Sequence, residues 1–343
     1  MMEKIKNAMI FGATGQDSSY LSELLLEKDY KIVGVKRRTS TNNTWRLDSV
    51  IHNENFSLVE GDIVDPSSVN QIISEHQPDE IYNLSAQSHV HTSFNQPLYT
   101  FQVNALGVIH ILEAVRNYSP TSKVYQASTS ELWGSNYDID PSLTDANDHI
   151  RYQDENTRFS PNSPYAVAKL AAHESIRLYR EAYDIWACAG LLMNHESPRR
   201  GEEFVTRKIT QYIGRLSYSG FDPNFPHLKL GNIDAVRDWS HAQDMVRGMW
   251  MMLQQDKPKD YVLCSGTGYS VKQFLDTAFK HVGIHDWSRY VDIDPSLYRP
   301  CEVEFLQGRY NLAKKELGWE PEISFDDLVR EMVDIDIYNV KYN

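Results

Sequence analysis

The chain has 343 residues, of which 41% are hydrophobic, and its formal net charge is −13 at pH 7. This size predicts one large or two ordinary globular domains with a real core. The acidic balance excludes general binding to nucleic acid or to anionic membranes, so an anionic ligand must meet a local cluster of Arg and Lys. The cysteines Cys188, Cys264 and Cys301 show no C-x-x-C spacing, which indicates neither a disulfide framework nor a zinc site. Because no apolar signal region and no run of about eighteen apolar residues is evident, we expect a cytoplasmic protein.

A glycine turn lies between the first predicted strand and the first predicted helix. Ala8–Phe11 is a short apolar run typical of a buried strand. The helix predicted after the turn carries leucines on one face. Between them, the G-x-x-G spacing of Gly12 and Gly15 lets the backbone approach a pyrophosphate at the positive N-terminus of the helix. Ser18 stands where a third glycine is usual, and an ordinary turn between strand and helix is the alternative interpretation.

Basic residues follow the second predicted strand. Lys31–Val35 is succeeded at once by Lys36, Arg37 and Arg38. At this distance from a glycine turn an NAD site carries an acidic residue, whereas arginine accommodates the 2′-phosphate of NADP. The pattern therefore favours NADP, and solvated charges at a strand end are the alternative.

The remaining elements alternate between strands and helices, which predicts an α/β fold with a doubly wound parallel (Rossmann) sheet and a smaller, discontinuous C-terminal substrate domain. Predicted strands are Phe56–Glu60, Glu80–Leu84, Lys123–Ala127, Ile185–Leu192 and Tyr261–Cys264. Predicted helices are Pro66–His76, Ala105–Val115, one that starts at Ser163-Pro164, Asp244–Leu253, Ser270–Val282 and Phe325–Tyr338. We expect residues 1–194 and 235–265 to form the dinucleotide-binding domain, and residues 195–234 and 266–343 to form the smaller one.

Small polar residues follow the fourth predicted strand, where a doubly wound sheet leaves its ligand crevice. We expect Leu84 to Ser88 along the phosphate and nicotinamide ribose of a dinucleotide, and Asp62 and Ile63 beside the adenine. His89 and His91, two apart in an extended segment, share one face as metal ligands do. No third ligand is evident in the sequence, so we predict no metal site.

Two further groups are placed for proton transfer. Ser128-Thr129-Ser130-Glu131 follows the fifth strand, and a strand-end carboxylate beside hydroxyls suits acid and base chemistry. Tyr165 and Lys169 are spaced Y-x-x-x-K and share one helix face, so we expect the ammonium to lower the pKa of the tyrosine and to hold a ribose. Such a tyrosine takes a proton from a sugar hydroxyl while hydride leaves the same carbon. A solvated carboxylate is the alternative for Glu131.

Basic residues recur in the C-terminal part of the chain. Planar guanidinium groups bind a nucleotide diphosphate through two hydrogen bonds at once, so these residues predict such a site, although some of them must be surface charges. They are Arg199, Arg200, Arg207, Lys208, Arg237 and Arg299.

The order of glycine turn, strand-end Ser-Thr-Ser-Glu and Y-x-x-x-K resembles the short-chain dehydrogenase/reductase superfamily. Within its extended branch the chain is similar to the GDP-mannose 4,6-dehydratase family, from Gly12 to Gly308. The segments that carry this resemblance are GATGQDSSYL, KRRTS, STSELWG, SPYAVAK, NHESPRRGEEFVTRKI, LGNIDAVRDWSHAQDMV and YRPCEVEFLQG.

The resemblance implies site residues at matching positions. The implied catalytic residues are Thr129, Glu131, Tyr165 and Lys169. The implied NADP contacts are Gly12, Ala13, Thr14, Gly15, Gln16, Asp17, Arg37, Arg38, Thr39, Ser40, Asp62, Ile63, Leu84, Ser85, Ala86, Gln87, Ser88, Tyr99, Lys169, His195 and Arg200. The implied nucleotide-sugar contacts are Ser88, Thr129, Ser130, Glu131, Tyr165, Asn194, Val205, Lys208, Leu230, Asn232, Arg237, Arg299 and Glu302, with Glu302 an acceptor for the guanine edge.

The implied reaction is dehydration of GDP-mannose to GDP-4-keto-6-deoxymannose with bound NADP, in which Tyr165 serves the 4-hydroxyl and Glu131 takes the C5 proton. Epimerases of the same branch share the tyrosine and lysine but generally lack the acid at Glu131. Three alternatives stay open: a dehydratase of a related GDP-sugar such as GDP-manno-heptose, a nucleotide-sugar epimerase, and a catalytically silent NADP-binding sensor or scaffold. The family's loop at the position of Thr39–Trp45 reaches a neighbouring subunit, which implies a homo-oligomer, either a dimer or a tetramer.

Overall fold

The structure is a computed structural model that describes residues 5–145, 148–298 and 301–342. The described strands are β1 (Asn7–Phe11), β2 (Lys31–Lys36), β3 (Phe56–Glu60), β4 (Glu80–Asn83), β5 (Lys123–Ala127), β6 (Asp138–Asp145), β7 (Asp148–Tyr152), β8 (Ala187–Leu192), β9 (Asn194–Glu196), β10 (Leu228–Leu230), β11 (Val236–His241), β12 (Tyr261–Leu263), β13 (Gly268–Ser270) and β14 (Val291–Ile293).

The described α-helices are α1 (Gln16–Glu27), α2 (Pro66–His76), α3 (Val90–Asn95), α4 (Pro97–Phe101), α5 (Gly107–Tyr118), α6 (Pro164–Ala182), α7 (Val205–Tyr218), α8 (Ala242–Leu253), α9 (Val271–His281), α10 (Asn311–Leu317) and α11 (Phe325–Tyr342). Short 3-10 turns lie at Trp45–Leu47, Ser130–Leu132, Trp287–Arg289 and Pro295–Leu297, and a π-helical turn lies at Gln102–Leu106.

Seven strands form one sheet in the order β12-β8-β5-β4-β1-β2-β3, and every neighbouring pair is parallel. The chain moves from β1 to β2 in one direction and places β4 on the other side of β1. The carboxyl ends of β1 and β4 therefore meet at the point where the strand order reverses, which is where an open α/β sheet holds its ligand. The predicted doubly wound parallel sheet is confirmed.

Apolar side chains cover both faces of this sheet. Because successive side chains of a strand point to opposite faces, Ala8 and Tyr82 pack with α1 and α8, whereas Met9 and Ile81 pack with α2, α5 and α6. Burial on both faces explains why the strands are nearly continuous apolar runs in the sequence.

A third apolar cluster lies in the C-terminal part, where Ile213 of α7, Phe274 of α9 and Met332 of α11 pack together. Two small sheets accompany it, β13-β11-β9 and β10-β14. β11 thus pairs outside the large sheet, while β12 pairs with β8 inside it. The exact domain limits given above stay a prediction.

The helical stretch Pro97–Tyr118 has the length and apolar composition of a membrane span, the only such stretch in the described ranges, and 56% of its apolar window is buried inside the protein. It runs through α4, the π-helical turn and α5, and α5 packs against α2 and α6. A buried core helix has the same composition as a span, and the packing of α5 is that of a core helix.

Candidate active site

The turn between β1 and α1 is shaped for close approach of a ligand. Gly12 has φ +80°, and a Cβ atom at this position would lie 2.9 Å from the backbone nitrogen of Ser85. The amide groups of Gly12 and Ala13 both donate to the carbonyl of Val35, at 3.0 Å each. Among the described residues, no side chain caps the start of α1, which follows Gly15. Its first backbone N–H groups are therefore available to an anion.

Ser18, which stands where a third glycine is usual, contacts the turn directly. Its side chain is buried, and its Oγ donates to the carbonyl oxygen of Gly12 at 2.8 Å. The Ser18 hydroxyl on α1 thus stabilises the conformation of the glycine turn through this hydrogen bond.

A crevice of about 380 Å³ opens at the carboxyl ends of β1, β2, β3 and β4. It adjoins a more open cavity of about 430 Å³, and the two share Arg37, Gly61 and Asp62 in their linings. The predicted cofactor residues in the two linings are Gly12, Thr14, Gly15, Gln16, Asp17, Arg37, Arg38, Thr39, Asp62, Ile63, Leu84, Ser85, Ala86, Ser88, Tyr99 and Arg200.

Other predicted cofactor residues do not line the crevice, namely Ala13, Ser40, Gln87, Lys169 and His195. Residues outside the sequence prediction also line the crevice or the adjoining cavity, namely Phe11, Ser18, Val35, Lys36, Asn43, Glu60, Gly61 and Val103. Most of these additional residues lie at strand ends or next to predicted residues. The predicted ends of β1, β2 and β3 could therefore have indicated them from the sequence.

Arg37 is held at the rim of the crevice. Its Nη1 donates to the hydroxyl of Tyr99 at 2.5 Å, which joins two residues predicted separately. Arg38 is exposed and lines the adjoining cavity.

Asp17 and His195 bind each other. His195 Nε2 lies 2.8 Å from Asp17 Oδ2, and His195 Nδ1 lies 2.8 Å from the carbonyl oxygen of Met193. Burial opposes charge on both groups, but their mutual attraction outweighs it, so the pKa of His195 is raised and the pKa of Asp17 is lowered. This ion pair joins the start of α1 to β9.

The predicted catalytic residues come from two elements. Glu131 lies on the 3-10 turn after β5 and Thr129 caps the start of that turn, where the Oγ1 of Thr129 accepts the amide of Glu131 at 3.3 Å. Ser163 caps α6 by accepting the amide of Ala166 at 3.1 Å, and this helix carries Tyr165 and Lys169 one turn apart. Both side chains are buried.

The electrostatics around Tyr165 correct one expectation. Burial raises the pKa of Tyr165 to about 12; a hydrogen bond with Thr129 and the charge of Arg200 lower it, and the carboxylate of Glu131 raises it. Burial lowers the pKa of Lys169 to about 8, and its Nζ donates to the carbonyl oxygen of Ala127 at 2.9 Å. The expectation that Lys169 lowers the pKa of Tyr165 is therefore wrong. Burial dominates the pKa of Tyr165, and the Lys169 ammonium is bound to the carbonyl oxygen of Ala127.

Two of the predicted anion-binding arginines are parts of the fold. Arg199 makes two hydrogen bonds to the carboxylate of Glu23, at 2.8 and 3.1 Å. Arg207 Nη2 lies 2.7 Å from Asp336 Oδ1, and both side chains are buried. The first pair joins the segment after β9 to α1, and the second joins α7 to α11.

Arg200 and Arg237 each form an ion pair with a glutamate. Arg200 lines the crevice, and Arg237 lies on β11 of the small sheet. Arg200 Nε lies 3.0 Å from Glu196 Oε2, and its guanidinium stacks 3.7 Å from the ring centre of Phe204. Arg237 Nη2 donates to Glu302 Oε1 at 3.1 Å, so two predicted nucleotide-sugar residues lie together.

The other predicted nucleotide-sugar residues are spread over the smaller region. Asn194 has a buried Oδ1 with no hydrogen-bond partner among the described residues, so this oxygen can accept a hydrogen bond from a ligand. Val205 begins α7, with Lys208 exposed on the same turn. Leu230 ends β10, and Asn232 accepts the amide of Asp234 at 3.0 Å. Arg299 lies outside the described residues.

The histidines His89 and His91 have other contacts. Their ring centres are 6.3 Å apart, His89 Nδ1 lies 2.8 Å from Thr92 Oγ1, and the His89 ring packs edge-on against Phe204. No group of three His, Cys, Asp or Glu residues that could hold a metal occurs within the described part of the chain.

The parallel sheet, the glycine turn at its switch point and the buried Tyr-x-x-x-Lys helix define the class: an extended short-chain dehydrogenase/reductase. The chain belongs to the GDP-mannose 4,6-dehydratase family, because the family model described as "GDP-mannose 4,6 dehydratase" matches residues 9–332.

Individual relatives agree with this assignment. The chain is 46% identical to a GDP-mannose 4,6-dehydratase of Vibrio cholerae over an alignment 365 positions long, and the alignment covers 97% of this chain and 94% of the relative. It is 47% identical to GDP-mannose 4,6 dehydratase 2 of Arabidopsis thaliana over an alignment 347 positions long, which covers 98% of this chain and 88% of the relative. The dTDP-glucose 4,6-dehydratase of Bacillus anthracis, solved in complex with NAD, matches with a TM-score of 0.81 at 21% identity over 98% of both chains. At that identity the structural likeness shows the fold alone.

Proposed function

We propose that this chain is a GDP-mannose 4,6-dehydratase, a hydro-lyase that converts GDP-mannose to GDP-4-keto-6-deoxymannose and water. The observation that carries the proposal is the placement of Glu131 beside Thr129 and within the electrostatic reach of buried Tyr165. A carboxylate next to the tyrosine provides a second proton-transfer group, which elimination needs and epimerisation does not. The sugar is oxidised at C4 and reduced at C6, so the reaction has no net redox change.

We infer a nicotinamide dinucleotide in the crevice, and NADP in preference to NAD. The residues present fit such a group: Gly12 leaves room for a close ligand, and the start of α1 lacks a side-chain cap. Arg37 and Arg38 border the cavity that adjoins the crevice, where a 2′-phosphate would meet two guanidinium groups. When bound, the nicotinamide accepts the hydride that leaves C4 and returns it to C6.

In the first step Tyr165 takes the proton of the 4-hydroxyl while C4 becomes a carbonyl carbon. Thr129 hydrogen-bonds to Tyr165, and we propose that it also holds O4 of the sugar. A pKa of about 12 keeps the phenol mostly protonated at neutral pH, so the groups that lower it, Thr129 and Arg200, favour the phenolate that must accept the proton.

In the second step the new C4 carbonyl acidifies the C5 proton, and Glu131 removes it. The electron pair of the C5–H bond forms the C5–C6 double bond, and the C6–O bond breaks. Protonated Glu131 donates to the departing 6-hydroxyl, which leaves as water. C6 receives the returned hydride, and C5 receives the proton that Tyr165 took from the 4-hydroxyl, which completes the product. Glu131 is a carboxylate again once water has left, so both groups end in the state in which they began.

The test incubates the purified protein with NADP and GDP-mannose and follows the product by mass spectrometry. We expect the loss of one water molecule from the sugar without net NADPH, and no such product with Glu131→Gln. The matched control is Glu174→Gln, which removes a carboxylate from an exposed ion pair with Arg177 on α6 and leaves turnover unchanged.

The rival proposals give different outcomes in the same experiment. Turnover of GDP-manno-heptose but not of GDP-mannose would keep the chemistry and change the substrate. Inversion of a sugar carbon without loss of water would indicate a nucleotide-sugar epimerase. Binding of NADP without turnover of any nucleotide sugar would indicate a sensor or scaffold.

We also infer a cytoplasmic homo-oligomer, either a dimer or a tetramer. Apolar side chains are exposed on the neighbouring α4 and α6, with Leu98 81% and Leu178 51% exposed. Burial of such residues is a common driving force for association. Light scattering after size-exclusion chromatography measures the number of subunits, and a monomeric mass would refute this inference.

A further inference from the structure

One carbonyl oxygen at the end of β5 accepts two side chains. Lys169 Nζ donates to the oxygen of Ala127 at 2.9 Å, and Gln126 Nε2 donates to the same oxygen at 2.7 Å. Gln126 is 1% exposed and Lys169 is 3% exposed. A carbonyl oxygen has two lone pairs, so the two donors share one acceptor and fix each other's position.

The amide of Gln126 is itself held from the next strand. Asn83 Nδ2 donates to Gln126 Oε1 at 2.7 Å, and Asn83 Oδ1 accepts the amide of Ser85 at 3.2 Å. Ser85 is the residue whose backbone nitrogen lies against Gly12. An unbroken chain of hydrogen bonds therefore runs from the glycine turn's neighbour to the lysine of α6.

We propose that Gln126 is a positioning residue for Lys169: its neutral amide fixes the place of the ammonium by binding the same carbonyl oxygen. The proposal rests on the proposed function only in giving Lys169 a role beside Tyr165 and the cofactor ribose. Because both nitrogens bind one oxygen, they are less than two hydrogen-bond lengths apart. A charge at this position would act directly on the ammonium.

The neutral character of this amide matters because Lys169 has little charge around it. Burial lowers the pKa of Lys169 to about 8, and Asp17 on α1 raises it. On α6 itself, Tyr165 precedes Lys169 by one turn and His173 follows it by one turn, packed edge-on against Phe159. β4 and β5 contribute the neutral amides of Asn83 and Gln126 from their carboxyl ends.

The test compares Gln126→Glu and Gln126→Met with the control Gln254→Met. The side chain of Gln254 donates to Glu80 at the opposite end of the sheet and to the carbonyl oxygen of Trp250, and it accepts a hydrogen bond from Lys6, so its loss removes hydrogen bonds without touching the Ala127 carbonyl. The pKa of Lys169 is measured by its rate of acetylation with acetic anhydride across pH, quantified by mass spectrometry. This readout does not depend on turnover. The pH profile of kcat on GDP-mannose and the melting temperature are recorded alongside.

We expect Gln126→Glu to raise the pKa of Lys169 by about one unit, because an opposite charge is placed within a few ångströms of the ammonium. The alkaline limb of the kcat profile should move in the same direction. Gln126→Met should lower kcat about tenfold or more with little change in KM, because the ammonium loses its fixed position. Its Lys169 should also be acetylated faster at a given pH.

Unchanged acetylation of Lys169 in folded Gln126→Glu would overturn the proposal. If that variant does not fold, wild-type kcat and wild-type acetylation in Gln126→Met would overturn it equally. A lower melting temperature alone, as expected for Gln254→Met, would assign Gln126 a merely structural role. If wild type does not dehydrate GDP-mannose, the proposed function fails, but the acetylation curves still decide the role of Gln126.

Discussion

The buried ion pair of Arg207 and Asp336 offers the sharpest stability prediction. Arg207 Nη2 lies 2.7 Å from Asp336 Oδ1, and Thr210 Oγ1 donates to Asp336 Oδ2 at 2.7 Å. A Cβ atom on Gly214 would lie 2.8 Å from the backbone of Asp336, so α7 and α11 are in close contact here. The single change Asp336→Ala leaves the Arg207 guanidinium buried and without its counter-charge.

The magnitude follows from burial. The side chains of Arg207 and Asp336 are 6% and 3% exposed, so solvent screens the pair little. Removing one partner of such a pair costs about 3–5 kcal/mol. Burial raises the pKa of Asp336 and lowers that of Arg207 despite their attraction, which means that desolvation is not fully repaid. The double variant Arg207→Met with Asp336→Leu should therefore recover most of the loss.

Urea denaturation of wild type, the single variant and the double variant measures the free energy of unfolding. The expected order is wild type and double variant close together, with Asp336→Ala far below both. A loss under about 1 kcal/mol for Asp336→Ala would contradict the reasoning, because that is the size of an exposed pair. A double variant as unstable as the single one would show that the two charges are not the cause. Because α7 also carries Lys208, KM for GDP-mannose should rise in Asp336→Ala.

Three further predictions concern the glycine turn and its ion pair. Gly12→Ala should abolish NADP binding, measured by fluorescence titration, since φ is +80° and the new Cβ would meet Ser85 at 2.9 Å; normal affinity would contradict this. Ser18→Ala should lose about 1 kcal/mol in urea denaturation because its hydrogen bond to the turn is removed, and an unchanged stability would refute that role. The pKa of His195 is raised above its ordinary 6.5, so the ion pair of His195 with Asp17 stabilises the fold fully below pH 6.5. This stabilisation is lost as the pH rises through the raised pKa of His195. The melting-temperature gap between wild type and His195→Gln should thus narrow from mildly acidic to alkaline pH, and a constant gap would disprove it.

The strands of the large sheet were predictable because their burial on both faces makes them short apolar runs. Ala8–Phe11 and Lys123–Ala127 illustrate this, since both predicted ranges lie within or equal β1 and β5. The helix predicted at Ala105–Val115 is confirmed, but the π-helical turn before α5 has no periodic signal of its own. Likewise β9 is three residues long and is defined only by its pairing with β11.

The geometry of the candidate site was predictable where it depends on a local pattern. The turn at Gly12 and the α6 face that carries Tyr165 and Lys169 depend on spacing within one or two elements. The partners of these residues come from distant positions, and no local pattern encodes them. The sequence could not show that Asn83 meets Gln126, or that burial outweighs every other influence on the pKa of Tyr165.

Two residues that the resemblance assigns to the cofactor, Gln16 and Asp17, also join the start of α1 to β9 and to the segment after it. Asp17 binds His195, while Gln16 donates to the carbonyl of His195 at 3.2 Å and accepts the hydroxyl of Ser197 at 2.8 Å. The start of α1 is thus fastened to β9, which belongs to the small sheet that carries Arg237. A ligand that rearranges the first turn of α1 must therefore also act on β9, the strand that begins at Asn194. These contacts physically connect the crevice with the residues proposed to bind the nucleotide sugar.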